Sequence, residues 1–260
     1  MHLRFLKTVT ILLLLFLSVS LKANDFKQQA FSLYIQPSFN NTFTQFKSNV
    51  FSVAYKDSIL LHTKGRTGLN TAVNWSFQMR PKLRLQTGLV FQNMGFSVIK
   101  DHLRFLDTIH PKIGIMSDLS QTGPSYVDFK YRYFQFALPV QFVQSIYNKK
   151  NTQLSWVYGG AVAIMYQHSI KAVLHGFSGR GNQKVYVFSN EAEFATRVNV
   201  QVETGLRVSS DLDNNGLQIY AQPHLCLPLF NANTSSVRHH LYQLGLQIGL
   251  IYPISKDKQS

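Results

Sequence analysis

The chain of 260 residues predicts an all-β protein. The expected fold is one eight-stranded antiparallel transmembrane β-barrel, an up-and-down meander with short periplasmic turns and long extracellular loops. Three observations carry this expectation. Eight segments alternate apolar and polar side chains with a period of two, the repeat of a strand with two unlike faces. The connections between these segments alternate short and long. Beyond the N-terminal segment there is no helical period and no apolar run of the ~20 residues that a spanning helix needs. Composition agrees, since only 15% of residues are charged, well below the ~25% of ordinary soluble domains. A 13% aromatic content argues against disorder. The single cysteine excludes a disulfide scaffold and a cysteine-based zinc site.

Residues 1–23 read as a signal peptide. Arg4 and Lys7 form a basic start, Val9 to Leu17 an apolar stretch, and Leu21-Lys22-Ala23 an imperfect small-residue cleavage site. The stretch is too short to span a bilayer, and no cysteine follows it to carry a lipid anchor. Residues 24–260 are then a single barrel domain. Losing Arg4, Lys7 and Lys22 lowers the formal charge from +14 to +11.

The strands follow in order. Phe31, Leu33, Ile35 and Phe39 oppose Ser32, Gln36, Ser38 and Asn40. Leu69, Val73, Trp75, Phe77 and Met79 oppose Asn70, Asn74, Ser76 and Gln78. After the turn Arg80-Pro81-Lys82, Leu83, Leu85, Leu89 and Phe91 oppose Arg84, Gln86, Gly88 and Gln92. Phe134, Phe136, Leu138, Val140 and Phe142 oppose Gln135 and Gln141. Leu154 to Tyr166 alternates less cleanly. Ala192 to Ser209 is the strongest case, with Val198, Val200, Val202, Leu206 and Val208 against Glu193, Arg197, Gln201, Glu203 and Arg207. Leu217 to Leu227 and Tyr242 to Tyr252 complete the eight. The connections span roughly 41–67, 80–82, 99–125, 146–152, 175–190, 210–215 and 229–238. Short ones hold turn chemistry such as Asn148-Lys149-Lys150-Asn151 and Asp213-Asn214-Asn215-Gly216.

Alternation alone does not say which face points outward, and a soluble lipocalin-type barrel would turn the apolar face in. Apolar-out is favoured because the polar face is rich in Gln, Asn and Gly and poor in Lys. Tyr242 and Tyr252 also bracket an aliphatic face ten residues long, the length of a tilted spanning strand, as interfacial aromatics would. In hydrocarbon every backbone polar group must be satisfied within the protein, which without a spanning helix requires a closed barrel. Eight strands enclose a lumen just wide enough for side chains to fill, so no diffusion pore is expected. Export and a barrel place the chain in a bacterial outer membrane.

The segment Leu85-Gln86-Thr87-Gly88-Leu89-Val90-Phe91-Gln92-Asn93-Met94-Gly95-Phe96 resembles a hairpin arm of the PorT-like outer-membrane β-barrel family of the Bacteroidetes. Tyr133-Phe134-Gln135-Phe136-Ala137-Leu138-Pro139-Val140-Gln141-Phe142 resembles its strand with an aliphatic-Pro-aliphatic step. The similarity spans about residues 30–254. It implies a Gram-negative envelope barrel, in a family that includes a component associated with type IX secretion. Where such barrels often end on an aromatic residue, this chain runs on past Tyr252-Pro253-Ile254 to Ser260.

No catalytic, cofactor-binding or metal site is expected. Hydrolysis needs a nucleophile, a base and an orienting acid within hydrogen-bond reach. His168, His175, His224, His239 and His240 lie toward the long-loop end, with Ser169, Ser178 and Glu191 nearby in sequence, but no spacing singles out a triad. Adjacent His239 and His240 point to opposite faces of a strand and cannot share a metal. Glu193, Arg197, Glu203 and Arg207 are read as an internal salt-bridge and hydrogen-bond network, with an ion or substrate path as the alternative. Gly159-Gly160, and Gly176 with Gly179 and Gly181, precede no helix and are not phosphate loops. Cys226 falls on the polar face as a buried thiol.

Basic side chains gather in loops and strand ends, among them Lys64, Arg66, Arg104, Lys130, Arg132, Arg180 and Arg238. Export argues against nucleic acid. The expected partners are outer-membrane lipid and the phosphates of lipopolysaccharide, with an envelope protein as a further candidate. The expected role is a non-enzymatic scaffold with partner-binding loops. The alternatives are an accessory part of a secretion or envelope-assembly complex and a lipid-A-modifying enzyme.

Overall fold

The computed structural model describes residues 29–46, 62–101, 109–110, 114–115, 126–149, 151–175, 184–189, 196–213, 216–232 and 237–254. The expected signal peptide, Ser178, Glu191, Glu193, Gly176, Gly179 and Gly181 lie outside them. The strands are β1 (Gln29–Phe46), β2 (Thr63–Arg80), β3 (Leu83–Asp101), β4 (Ile109–His110), β5 (Gly114–Ile115), β6 (Tyr126–Lys149), β7 (Thr152–His175), β8 (Lys184–Ser189), β9 (Val198–Asp211), β10 (Gln218–Pro228) and β11 (Val237–Pro253). Eight of them close a ring in the order β1-β2-β3-β6-β7-β9-β10-β11, with β11 returning to β1, every pair antiparallel. β4 and β5 pair with each other, and β8 pairs with the upper part of β7.

The register fixes the shape. Pairing followed from Tyr34 through Ala72, Val90 and Ala137 reaches Ala163. Followed the other way, through Gly249, Tyr220 and Ser209, it reaches Gln153, ten residues lower on the same strand. A stagger of ten over eight strands, with a rise of ~3.3 Å and a spacing of ~4.8 Å, tilts the strands by about 40° and sets a backbone radius of about 8 Å. At that radius opposing inward side chains meet. Gly245 shows how crowded this interior is, since a Cβ there would meet the Gln36 side chain of the neighbouring strand.

The outer face is apolar and exposed, as expected. Leu33, Ile35, Leu89, Leu138, Val202, Leu244, Leu246 and Ile248 all point away from the barrel. Aromatic side chains bound this aliphatic zone on both sides. On the lower side Trp75, Phe31 and Tyr252 share one rung, with Trp156, Tyr158 and Phe142 in contact further round. On the upper side Phe91, Phe134, Phe136 and Tyr166 form one cluster and Phe43 stacks on Tyr242. An aliphatic zone between two aromatic girdles is the outer surface of a membrane-spanning barrel. No helix among the described residues is long and apolar enough to cross a membrane.

Several strands run beyond the upper girdle, and on β3 and β6 the polarity inverts there. On β3 the outward positions are Asn93, Gly95 and Ser97, polar or small although Gly95 and Ser97 are themselves covered, while Met94, Phe96 and Val98 are buried inside. On β6, Lys130 and Arg132 face out while Val127 and Tyr133 are buried. The change falls at one level, because Asn93 pairs with Phe134 and Met94 with Tyr133. Below it lipid solvates the outer face, and above it water does, so apolar side chains move inward as in a soluble barrel. The alternation of β7 is broken at the same height. Met165 and Gln167 pair with the adjacent Gln135 and Phe134, leaving Tyr166 as an extra residue that switches His168 to the inside.

The strands are therefore longer than the alternation predicts. The connection expected at 99–125 starts after Asp101, and the strands flanking the one expected at 146–152 run on until Lys149 pairs with Thr152. Of the strand expected from Ala192, residues 192–195 lie outside the described residues, and β9 begins at Val198. Its last pair with β7 is Val198 with Ile164, although β7 continues to His175. β10 likewise stops at Pro228, so the upper wall is low at β9 and β10 and tall at β3, β6, β7 and β8. Residues 229–232 fold across this low side. Leu229 donates to the Val200 carbonyl, Phe230 and Asn199 exchange two hydrogen bonds, and Ala232 donates to the His239 carbonyl.

Candidate functional site

The lumen is the one place where polar and charged side chains converge inside the described barrel, and it is layered. At the top an aromatic plug closes it. Phe96 is fully buried and stacks on Tyr131 at 4.7 Å, with His239 at 4.5 Å and Tyr133 at 6.4 Å. Met94, Val98, Leu241 and Ala232 complete the plug, the last delivered by the segment that crosses the low wall. His168 stacks on Tyr133 at 4.7 Å.

Beneath the plug lies a layer of amides. Gln92 and Gln201 exchange hydrogen bonds at 3.1 Å across the lumen, and Gln135 donates to Gln92 at 2.6 Å. Asn70 donates to Gln243 at 2.7 Å, and Gln247 donates to Gln36 at 3.2 Å. Each amide offers both donors and acceptors, so a ring of them satisfies itself without net charge.

Two charged residues lie deep in the lumen, in separate layers. Glu203 accepts a hydrogen bond from Gln141 and lies 4.0 Å from His224 Nε2, all three buried. Arg207 lies four residues further down β9, with its guanidinium 4.4 Å over the Tyr220 ring. Its Nε donates to Gln222 at 2.8 Å and its Nη1 to Gln86 at 3.0 Å. Of the expected four-charge salt-bridge and hydrogen-bond network, Glu193 lies outside the described residues, and the part that is described is hydrogen-bonded but not ion-paired. Arg197 is exposed at the low rim, where water solvates it, and Glu203 and Arg207 are held by amides instead of each other. Replacing Glu203 with leucine leaves the buried Gln141 amide without its acceptor. It is expected to cost about 1–3 kcal/mol of barrel stability in urea titrations, while Glu203→Gln costs less.

The histidines are dispersed. His175 stacks on Tyr126 at 4.4 Å near the top of β7, and His224 Nδ1 shares a hydrogen bond with Gln36 in the middle layer. His239 contacts the plug and Thr44, while His240 points to the other face. Ser169 is next to His168 on the opposite face. Cys226 is buried, pairs across from Glu203, and its thiol donates to Gln201 at 3.4 Å. Gly159 and Gly160 lie within β7. The plug was not foreseen, although continued reading at period two through Gln92, Met94, Phe96 and Val98 marks the inward face of β3 turning apolar.

No protein-family model matches the sequence, and no curated protein does. Solved structures similar to it include the outer membrane protease OmpT from Escherichia coli, at 8% identity and a TM-score of 0.46 over 88% of this chain and 98% of that one. The outer membrane protein OprG from Pseudomonas aeruginosa has 10% identity and a TM-score of 0.40, over 88% and 98%. Neisserial surface protein A has 9% and 0.38, over 85% and 96%. These are distant likenesses, and the eight-stranded transmembrane barrel is established by this chain's own closed register and lipid-facing belt.

Proposed function

We propose that the protein is a non-enzymatic barrel of a bacterial outer membrane, with a sealed lumen that holds the wall rigid and an upper extension with long connections that contacts partners. The observation that carries this reading is the plug: a channel needs a continuous wet path, and Phe96, Tyr133 and Leu241 are packed together where that path would open. Purified protein in planar bilayers is expected to give no stable conductance steps. Persistent steps at wild-type sequence would refute the reading, and altered lipid A in cells overexpressing the barrel would point to the enzymatic alternative.

Lipopolysaccharide is the expected lipid partner. Above the upper girdle Lys130 and Lys171 are direct cross-strand neighbours on the outer face, with Arg132 two residues from Lys130 and one acid, Asp128, 3.2 Å from Lys130 among the three cations. Like charges placed opposite each other are unfavourable alone and favourable around phosphates. The two segments that resemble PorT-like barrels support membership of that family, and a pull-down from native membranes separates a lone surface protein from a part of an envelope assembly.

A further inference from the structure

At the periplasmic end the lumen opens into a polar cavity of about 40 Å³. Its lining includes Arg207, Arg84, Lys82 and the hydroxyls of Ser32, Ser155 and Ser209, and no acidic side chain is part of it. Arg207 is 4% exposed. Two of its nitrogens meet amide oxygens, but the buried Nη2 has no hydrogen-bond partner. The acids four residues to either side on β9 are engaged elsewhere: Glu203 with Gln141, and Asp211 at the exposed rim with Gln218. Arg84 Nε is held by Gln78 at 2.6 Å, again a neutral partner.

A buried guanidinium is stable only when its charge is met and its donors are satisfied. Amide oxygens satisfy donors and the Tyr220 ring face attracts the cation, but neither carries a counter-charge, and the two acids above and below are too distant along the strand, at ~13 Å, to supply one. We propose that this mouth is a binding site for one small inorganic anion of chloride size, held by Arg207 Nη2 and Arg84 with the serine hydroxyls around it. A cavity of this volume holds a chloride or about three waters. The anion completes the hydrogen bonding of Arg207, and it enters from the periplasm because the plug closes the other end.

The test is the chloride dependence of barrel unfolding at constant ionic strength, with gluconate, too bulky for the cavity, as the replacement anion. The readout is the temperature at which half of the fast-migrating folded form is lost on an unheated gel. Wild type is expected to gain about 5 °C, saturably, from gluconate to chloride. Arg207→Gln is expected to lose that dependence whatever its own baseline. Should Arg207→Gln not refold, Arg84→Gln, at a half-buried position, is expected to raise the half-saturating chloride at least threefold. Wild type indifferent to chloride would mean that waters fill the cavity and would overturn the proposal. An equal chloride response in wild type and in whichever variant folds would place the effect elsewhere and overturn it too.

Discussion

Replacing Phe96 with alanine is expected to destabilise the barrel by about 3–5 kcal/mol, the range for large aromatic truncations in a packed interior. Phe96 has no exposed surface and touches Tyr131, Tyr133 and His239 from one position on β3. Its neighbours are held by the barrel wall and by the Ala232 segment, so the space left behind cannot collapse easily. The effect is read from urea-driven unfolding of detergent-solubilised protein, with the slope compared to wild type. A lipid-facing control, Phe136→Ala, is expected to cost less, because acyl chains fill the gap that Phe136, 42% exposed, leaves. Equal costs at the two sites would mean that Phe96 is not in a sealed plug.

Leu246→Arg is expected to cost about 2–4 kcal/mol, and Asn93→Arg about 0–1 kcal/mol, the depth dependence of a cation on a lipid-facing barrel surface. Both residues face outward. Leu246 is near the middle of the aliphatic zone between Tyr242 and Tyr252, whereas Asn93 is on the rung where the inside and outside exchange polarity. The pair therefore locates the upper bilayer boundary on the molecule. A cost at Asn93 as large as that at Leu246 would move the boundary upward and remove the account of the inversion on β3 and β6.

That inversion explains how much of the molecule could be read from its sequence. The eight strands, their order and the outward set from Leu33 to Leu250 follow from alternation, because within the lipid zone every strand obeys the same rule. The rule changes at Asn93 and Phe134. Beyond them Val127, Tyr131 and Tyr133 still alternate with Asp128, Lys130 and Arg132, but with the opposite sense, so the strand is cut short if one sense is assumed throughout. The single extra residue on β7 hides the inward course of His168 in the same way. The lumen contacts were illegible for another reason. Gln92 meets Gln201 and Arg207 meets Gln86 across more than a hundred residues of chain, and which side chains meet is decided by the stagger of the closed ring. That the polar face would be glutamine-rich was plain. That its two deep charges would be bound by amides and not by each other was not.

Spin labels at the adjacent positions Val200 and Gln201 test the central claim most directly. Val200 faces out from β9, while Gln201 is buried against Gln92 and Cys226. In lipid bilayers a label at 200 is expected to relax with dissolved oxygen and to ignore a water-soluble nickel complex, and a label at 201 to be immobile and reached by neither. A label at 200 that responds to nickel, with one at 201 that responds to oxygen, would turn the barrel inside out and contradict the account.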